Sequence, residues 1–394
     1  MGQSGAALYK TVTGLVDTHY FFFNEADRCN WEEIKMRYEP KFISECTDYR
    51  GIASEMLIEL HDPHTRLFYT RKNNPLFQLH LKWFDHQLYL VEEGAAGQEA
   101  FKMLSINDQN IEDLIRQFQK RFTAYPIGMV RQELIQSIVM GSSYEALKVE
   151  LTDGSTVRTS IYYPVTADNR KQLQSMVHRI SRSTVLIKRL EQDILYVRLL
   201  TFRAQNIEEV ILKSREQFEA CESIIFDLRD NSGGFMKEAS EVASLFLEED
   251  IRLGYQIVTP DDTGVPAPPV IPVIQGKKRV RLHRKRIYLL FDENTMSSAE
   301  YVFLKSLIAA YPNAVTVGHE SAGLSGQAKI FHLPQQEAVI QVTCRRYVDQ
   351  DMREIKQGIT PNRNIALHMA DYLLGIDTQL QYCIASLKQK TYEI

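Results

Sequence analysis

The chain has 394 residues, 44% of them apolar and 24% charged, with a net charge of −4. This is ordinary globular composition, and it gives no electrostatic reason to expect nucleic acid or an anionic membrane as partner. No apolar run reaches bilayer-spanning length, the amino terminus lacks a signal-peptide core, and Met1-Gly2 followed by Ala6 lacks the hydroxyl residue of a myristoylation signal. The five cysteines (Cys29, Cys46, Cys221, Cys344 and Cys383) have neither framework nor metal spacing. The expectation is a cytoplasmic chain with no metal and no cofactor.

In chain order, residues 1–70 predict a helical domain. Trp31–Tyr38 is one helix, and Tyr49–Leu60 is a second with Ile52, Met56, Leu57 and Leu60 on one face. Pro63 stops that second helix within His61-Asp62-Pro63-His64-Thr65-Arg66, and Leu67-Phe68-Tyr69 reads as a strand. Residues 71–165 predict a small α/β module. It has a hairpin turning at Asp85-His86, a strand Phe101–Ile106 and helices at Ile111–Phe122 and Arg131–Met140. A second hairpin turns at Thr152-Asp153-Gly154-Ser155.

Residues 166–394 alternate strands and helices, which predicts a largely parallel sheet covered on both faces. The strands are Val185–Arg189, Ile194–Leu199, Ser223–Leu228, Ile287–Phe291 and Val315–Gly318. The helices are Ile207–Cys221, Met236–Leu247 and Ser297–Ala310, and the proline-rich Gln256–Lys278 reads as a surface loop or arm.

Two stretches of this core can carry chemistry. Ile287–Phe291 is a buried strand, Asp292–Met296 is turn-like, and helical spacing begins at Ser297-Ser298. A hydroxyl there has free amides and the positive end of a helix dipole beside it, which suits a nucleophile whose carbonyl target becomes an oxyanion. The same position suits a serine that merely caps the helix. Upstream, strand residues Ile224-Ile225-Phe226 run through Asp227-Leu228-Arg229-Asp230-Asn231-Ser232 into Gly233-Gly234. Glycines at the carboxyl end of a strand let backbone amides approach a ligand closely. No Gly-Lys-Ser/Thr follows, so this is not a phosphate loop.

Asp227-x-Arg229-x-Asn231-x-Gly233-Gly234, followed by Thr295-x-Ser297-x-x-Glu300, resembles the paired motifs of the tail-specific and tricorn-type serine peptidases. Leu60-x-Asp62-x-His64-Thr65, Val317–Gly323 and Gly358-Ile359-x-Pro361-Asn362 match further segments of that family in order, as do Asp371, Gly375 and Asp377 of its closing helix. The resemblance spans about residues 15 to 390. It implies an α/β fold with a ClpP/crotonase-like βα core, the N-terminal helical domain and a degenerate PDZ-like module in the middle. It implies Ser297 as nucleophile, with the amides of Ser298 and of Gly233 (or failing that Gly234) forming the oxyanion hole. Ser298 fits the nucleophile role less well, because Glu300 stands three residues after Ser297.

The base separates two branches of that family. Its carboxy-terminal processing branch uses a lysine, but Leu324 occupies that position here, and Lys329 is about 16 Å further along an extended chain. The tricorn-type branch uses a histidine, which falls on His64, with His61 and His319 as alternatives. Imidazole titrates near neutrality, which suits a general base. The orienting carboxylate is Glu354 by motif, with Asp62 and Glu300 as alternatives. Pro63 stands where the family's hydroxyl precedes the histidine. The resemblance implies an endopeptidase acting on peptides or unfolded proteins, with homo-oligomers left open. A catalytically inactive ligand- or peptide-binding protein on the same fold, as in the family's retinoid-binding relatives, and a protease dedicated to one precursor are the alternatives.

Overall fold

The computed structural model describes residues 5–22, 24–43, 48–69, 76–94, 97–140, 145–165, 184–191, 193–204, 206–258, 270–348, 351 and 353–389. Helices α1 (Gly5–His19), α2 (Glu25–Ile43) and α3 (Tyr49–Ile58) lead into strand β1 (Arg66–Tyr69). Next come β2 (Leu81–Phe84), β3 (Gln87–Gly94), β4 (Gly97–Ile106), β5 (Gln109–Asn110), α4 (Ile111–Arg121), α5 (Ile127–Val139), β6 (Leu147–Thr152) and β7 (Val157–Tyr162). The core begins with β8 (Val185–Glu191), β9 (Ile194–Leu199), α6 (Ile207–Lys213), α7 (Arg215–Ala220), β10 (Ser223–Asp227) and α8 (Met236–Phe246). After β11 (Ile251–Arg252), β12 (Tyr255–Val258), β13 (Val273–Ile274) and β14 (Arg286–Phe291), a π-helical stretch (Ala299–Leu304) runs into α9 (Lys305–Ala310). The described chain closes with β15 (Val315–Gly318), β16 (Gln327–Leu333), β17 (Ala338–Val348), β18 (Arg363–Asn364), α10 (Met369–Leu373) and α11 (Thr378–Gln389).

The core sheet has the order β18-β15-β14-β10-β9-β8, parallel except for the antiparallel edge strand β8. Strand side chains alternate between faces. Leu195, Val197, Ile224, Phe226, Leu289 and Phe291 therefore pack with Ile207, Val242, Val302 and Phe303 of the helices on one side. Tyr196, Ile225, Tyr288, Leu290 and Val317 pack with Cys383 and Leu387 of α11 on the other. Burial on both faces is why these strands are unbroken apolar runs. Because Asp227 of β10 stands opposite Leu290 of β14, the two loops that follow these strands emerge side by side.

A second sheet decides where the amino-terminal region goes. Its long strand β17 pairs with β16 on one side and with β1 and β12 on the other, all antiparallel. The N-terminal helices do not close a core of their own. Val12, Trp31, Phe42 and Leu57 share one with Leu333, Ala338, Ile340 and Val342.

The middle sheet, β2-β3-β4-β6-β7, packs with residues of α4 and α5 around Leu88, Met103, Leu134 and Val149. Its first hairpin turns at Asp85 and His86, both left-handed with φ of 47° and 63°. That twist matches the flanking strands.

Three expectations need correction. The helix predicted over Ile207–Cys221 is interrupted at Ser214, where the backbone N–H reaches both Val210 and Ile211 carbonyls. Gln256–Val258 is not loop but part of β12, paired with Arg345–Tyr347, while residues 259–269 of that predicted arm lie outside the described residues. The helix expected from Ser297 begins at Ala299 and is π-helical in its first turns, because Ser297 itself is left-handed at φ 56° and cannot be helical.

Candidate active site

Ser297 lies at the turn between β14 and the π-helical stretch, partly accessible, in a conformation costly for any residue with a Cβ. Several bonds hold it there. Thr295 Oγ1 donates to the Leu228 carbonyl at 2.8 Å, and the Met296 N–H donates to the Asn231 carbonyl at 3.1 Å. The serine turn is thus fastened directly to the loop carrying Gly233-Gly234.

That loop is itself braced by its own motif residues. The Arg229 guanidinium makes two hydrogen bonds to Asp227, two to Asp377 and one to Gln379, joining the end of β10 to the start of α11. Asn231 donates to the Leu199 carbonyl at 2.9 Å and accepts from the Gly233 N–H at 2.9 Å. The Gly233 amide is therefore occupied, while the Gly234 amide carries no hydrogen bond among the described residues. Gly233, at φ 83°, still has a steric role. A Cβ there would stand 2.9 Å from Ser297 Cβ and 3.0 Å from Ser298 N. Ser298 is buried at 2% exposure, and its hydroxyl has no partner among the described residues, so it is not a side-chain cap. Its N–H opens the helix, where amides lack intrahelical acceptors.

His64 reaches this turn from the other end of the chain, its Nε2 standing 3.3 Å from Ser297 Oγ. Asp62 fixes the backbone here by accepting from the His64 N–H at 3.0 Å and from Thr65 Oγ1 at 2.8 Å. Thr65 Oγ1 in turn accepts from the Thr343 N–H of β17 at 3.0 Å. Of the three histidines named from sequence, His64 alone bonds Ser297 among the described residues. His61 is exposed, and His319 sits half-buried after β15.

Burial pushes the His64 imidazole pKa down to about 4, with Arg346 and Arg66 adding to the shift and Asp62 opposing it. The ring is neutral at pH 7. For Nε2 to accept from Ser297, the proton must sit on Nδ1, which is buried and unpartnered among the described residues. A Cβ on Gly326 would come within 3.4 Å of that nitrogen.

The three candidate carboxylates do not meet the imidazole nitrogen. Glu354, the residue assigned by motif, pairs with Arg346 and Lys356. The physical reason is the antiparallel bridge between Glu354 and Val348 at the end of β17, which sets Glu354 beside Arg346. Asp62 also pairs with Arg346, at 3.0 Å. Glu300 accepts from Ser321 Oγ at 2.7 Å and from the Gly323 and Leu324 amides at 3.0 and 3.2 Å, pinning the next loop rather than capping a helix. Burial raises its pKa to about 7, against the lowering effect of those donors.

Leu324, in the position where a lysine would define the other branch, is buried with Met296, Phe122, Tyr125, Met129 and Val130. Lys329 is exposed on β16. Arg346 was not singled out from sequence. Its signal was a charged residue inside the long apolar alternation of β17, a strand the sequence reading had not placed.

A parallel-sheet core here presents a left-handed serine at the head of a helix to a buried neutral imidazole, an arrangement chemically able to activate a serine hydroxyl. Residues 193–365 match the model of peptidase family S41. This span includes Ser297, Ser298, Gly233, Gly234 and Glu354, whereas His64 lies before it. The chain is 30% identical over 182 residues to carboxyl-terminal-processing peptidase 3, chloroplastic, of Arabidopsis thaliana, covering 45% of this chain and 33% of that protein. It is 23% identical over 371 residues to a carboxyl-terminal-processing protease of Picosynechococcus sp., covering 90% and 82%. It spans about a third of the length of the first relative and most of the second. In fold it is similar to mature CPAF complexed with lactacystin, with a TM-score of 0.72 at 12% identity over 93% of this chain and 94% of that one. Among the described residues no helix is long and apolar enough to cross a membrane.

Proposed function

We propose that the chain is a serine peptidase that cleaves peptides or unfolded proteins through an acyl-enzyme. The observation that carries this reading is the 3.3 Å approach of His64 Nε2 to Ser297 Oγ across 233 residues of sequence. In the proposed mechanism His64 takes the Ser297 proton as the oxygen attacks the scissile carbonyl, then returns it to the leaving amine. The oxyanion is received by the Ser298 amide and, since Asn231 occupies the Gly233 amide, by that of Gly234. Asp62 acts on His64 through its backbone, and Glu354 acts one step further out by holding Arg346. The reading keeps residues 1–70, 71–165 and 166–394 as helical, degenerate PDZ-like and peptidase parts, in a cytoplasmic protein.

The test is hydrolysis of an unfolded protein substrate together with fluorophosphonate labelling. Ser297→Ala abolishes both, with a fall in turnover of about 10⁶ and the fold retained. An active Ser297→Ala protein, or a wild type that no probe labels, overturns the assignment. One observation favours a second reading, a binding protein on the same fold: the Nδ1 of His64 has no acceptor among the described residues. An inert wild type with bound peptide recovered from it would select that reading.

A further inference from the structure

A cavity of about 200 Å³ lies behind the helix that Ser297 heads. Tyr301, Lys305 and Ile308 line it from one side, and Ile355, Gln357 and Ile359 from the other. Spacings of four and three put the first set on one helix face, and alternation puts the second on one face of an extended segment. None of the six takes part in the proposed hydrolysis.

The lining is apolar apart from the Gln357 amide, the Tyr301 hydroxyl and one cation. The Lys305 ammonium donates to the Leu253 carbonyl at 3.1 Å and lies 5.4 Å from the centre of the Tyr301 ring. It makes no ion pair among the described residues. An ammonium carries three donors, so two remain for a ligand. Burial lowers its pKa, with the Glu300 carboxylate opposing that shift from a distance. A single cation suits one carboxylate better than a doubly charged phosphate, and Ile308, Ile355 and Ile359 suit an alkyl chain. At about 30 Å³ per water-sized group, the space takes roughly six to eight heavy atoms.

We propose that this cavity binds a short aliphatic carboxylate, its head on Lys305 and its chain among Ile308, Ile355 and Ile359. A free fatty acid and the carboxyl-terminal aliphatic residue of a peptide share this chemistry.

Calorimetric titration of the full chain carrying Ser297→Ala, which keeps binding separate from turnover, tests it with four probes. These are hexanoate, hexylamine, a pentapeptide ending in leucine with a free carboxylate, and the same peptide amidated. Saturable binding of hexanoate, or of the free peptide but not the amide, supports the site and identifies the source. Added Lys305→Met weakens that binding by roughly tenfold or more, the loss of a charge-assisted bond, and Ile308→Trp abolishes it by filling the space. The proposal falls if neither carboxylate saturates, if hexylamine binds as well as hexanoate, or if both substitutions leave binding unchanged.

Discussion

The Asp62 carboxylate and the Arg346 guanidinium meet at 3.0 Å in the interior, directly beneath the turn that carries His64. Burial alone would raise the Asp62 pKa, but Arg346, His64 and the Thr343 and Thr65 hydroxyls together outweigh it and hold it below the usual carboxylate range. Arg346 also pairs with Glu354 and donates to the Tyr20 hydroxyl at 3.1 Å. One strand residue thus joins α1's outgoing chain, the histidine turn and the Glu354 bridge.

Removing the guanidinium leaves Asp62 as a buried charge without its partner, while Glu354 keeps only Lys356. Arg346→Met is expected to cost about 3–5 kcal/mol, read by urea denaturation. Adding Asp62→Asn to that variant recovers part of the loss. A single variant as stable as wild type would show that the pair does not hold the turn.

Gly233 faces Ser297 with no room for a side chain. In Gly233→Ala the new Cβ would lie 2.8 Å from the Met296 carbonyl and 2.9 Å from Ser297 Cβ, at a φ of 83°. The expected result is loss of fluorophosphonate labelling together with a stability cost of about 1–3 kcal/mol from strain and crowding. Labelling at the wild-type rate would refute the close approach.

Ser297 holds a left-handed conformation for which glycine has no penalty. Ser297→Gly is expected to raise the melting temperature relative to Ser297→Ala, by the equivalent of about 1 kcal/mol, while both are inactive. Equal melting temperatures would mean that the serine backbone is unstrained.

Installing the missing lysine should not create a Ser–Lys pair. Leu324→Lys puts an ammonium among Met296, Phe122, Tyr125 and Met129. The expected outcome is destabilisation of several kcal/mol without gain of turnover, checked by calorimetry and peptide hydrolysis in a His64→Ala background. Turnover restored there would show that the base position can be relocated.

The buried imidazole gives a pH signature. With its folded pKa lowered to about 4 from an ordinary 6.5, His64 binds fewer protons folded than unfolded between those values. Its contribution is therefore fully present above pH 6.5 and is lost as pH falls toward 4, by up to about 3 kcal/mol. Glu300, raised to about 7 from an ordinary 4.5, acts in the opposite sense, its cost growing as pH rises from 4.5 to 7 and levelling off above that. His64→Gln is expected to flatten the decline between pH 6.5 and 4 in denaturation series. A wild-type-to-variant difference that stays constant over that range would contradict a neutral buried histidine.

Sequence alone determined the core strands, because burial on both faces writes unbroken apolar runs that periodicity can read. It also located Asp227–Gly234 and Thr295–Glu300, whose residue types are demanded by local turns and glycine conformations. The choice of His64 over His61 and His319 came from motif order, and of the N-terminal helices α3 was legible from its apolar face. Tertiary structure decided what crosses the chain. The pairing of β1 with β17 brings His64 to Ser297, and while β16 is β17's hairpin neighbour, its other partners β1 and β12 lie far away in sequence, where local pattern cannot find them. The same long-range pairing placed Arg346 between Asp62 and Glu354 and so kept Glu354 off the imidazole. Spacing can list candidate acids and amides, but which hydrogen bond each one makes depends on neighbours that only the folded chain supplies.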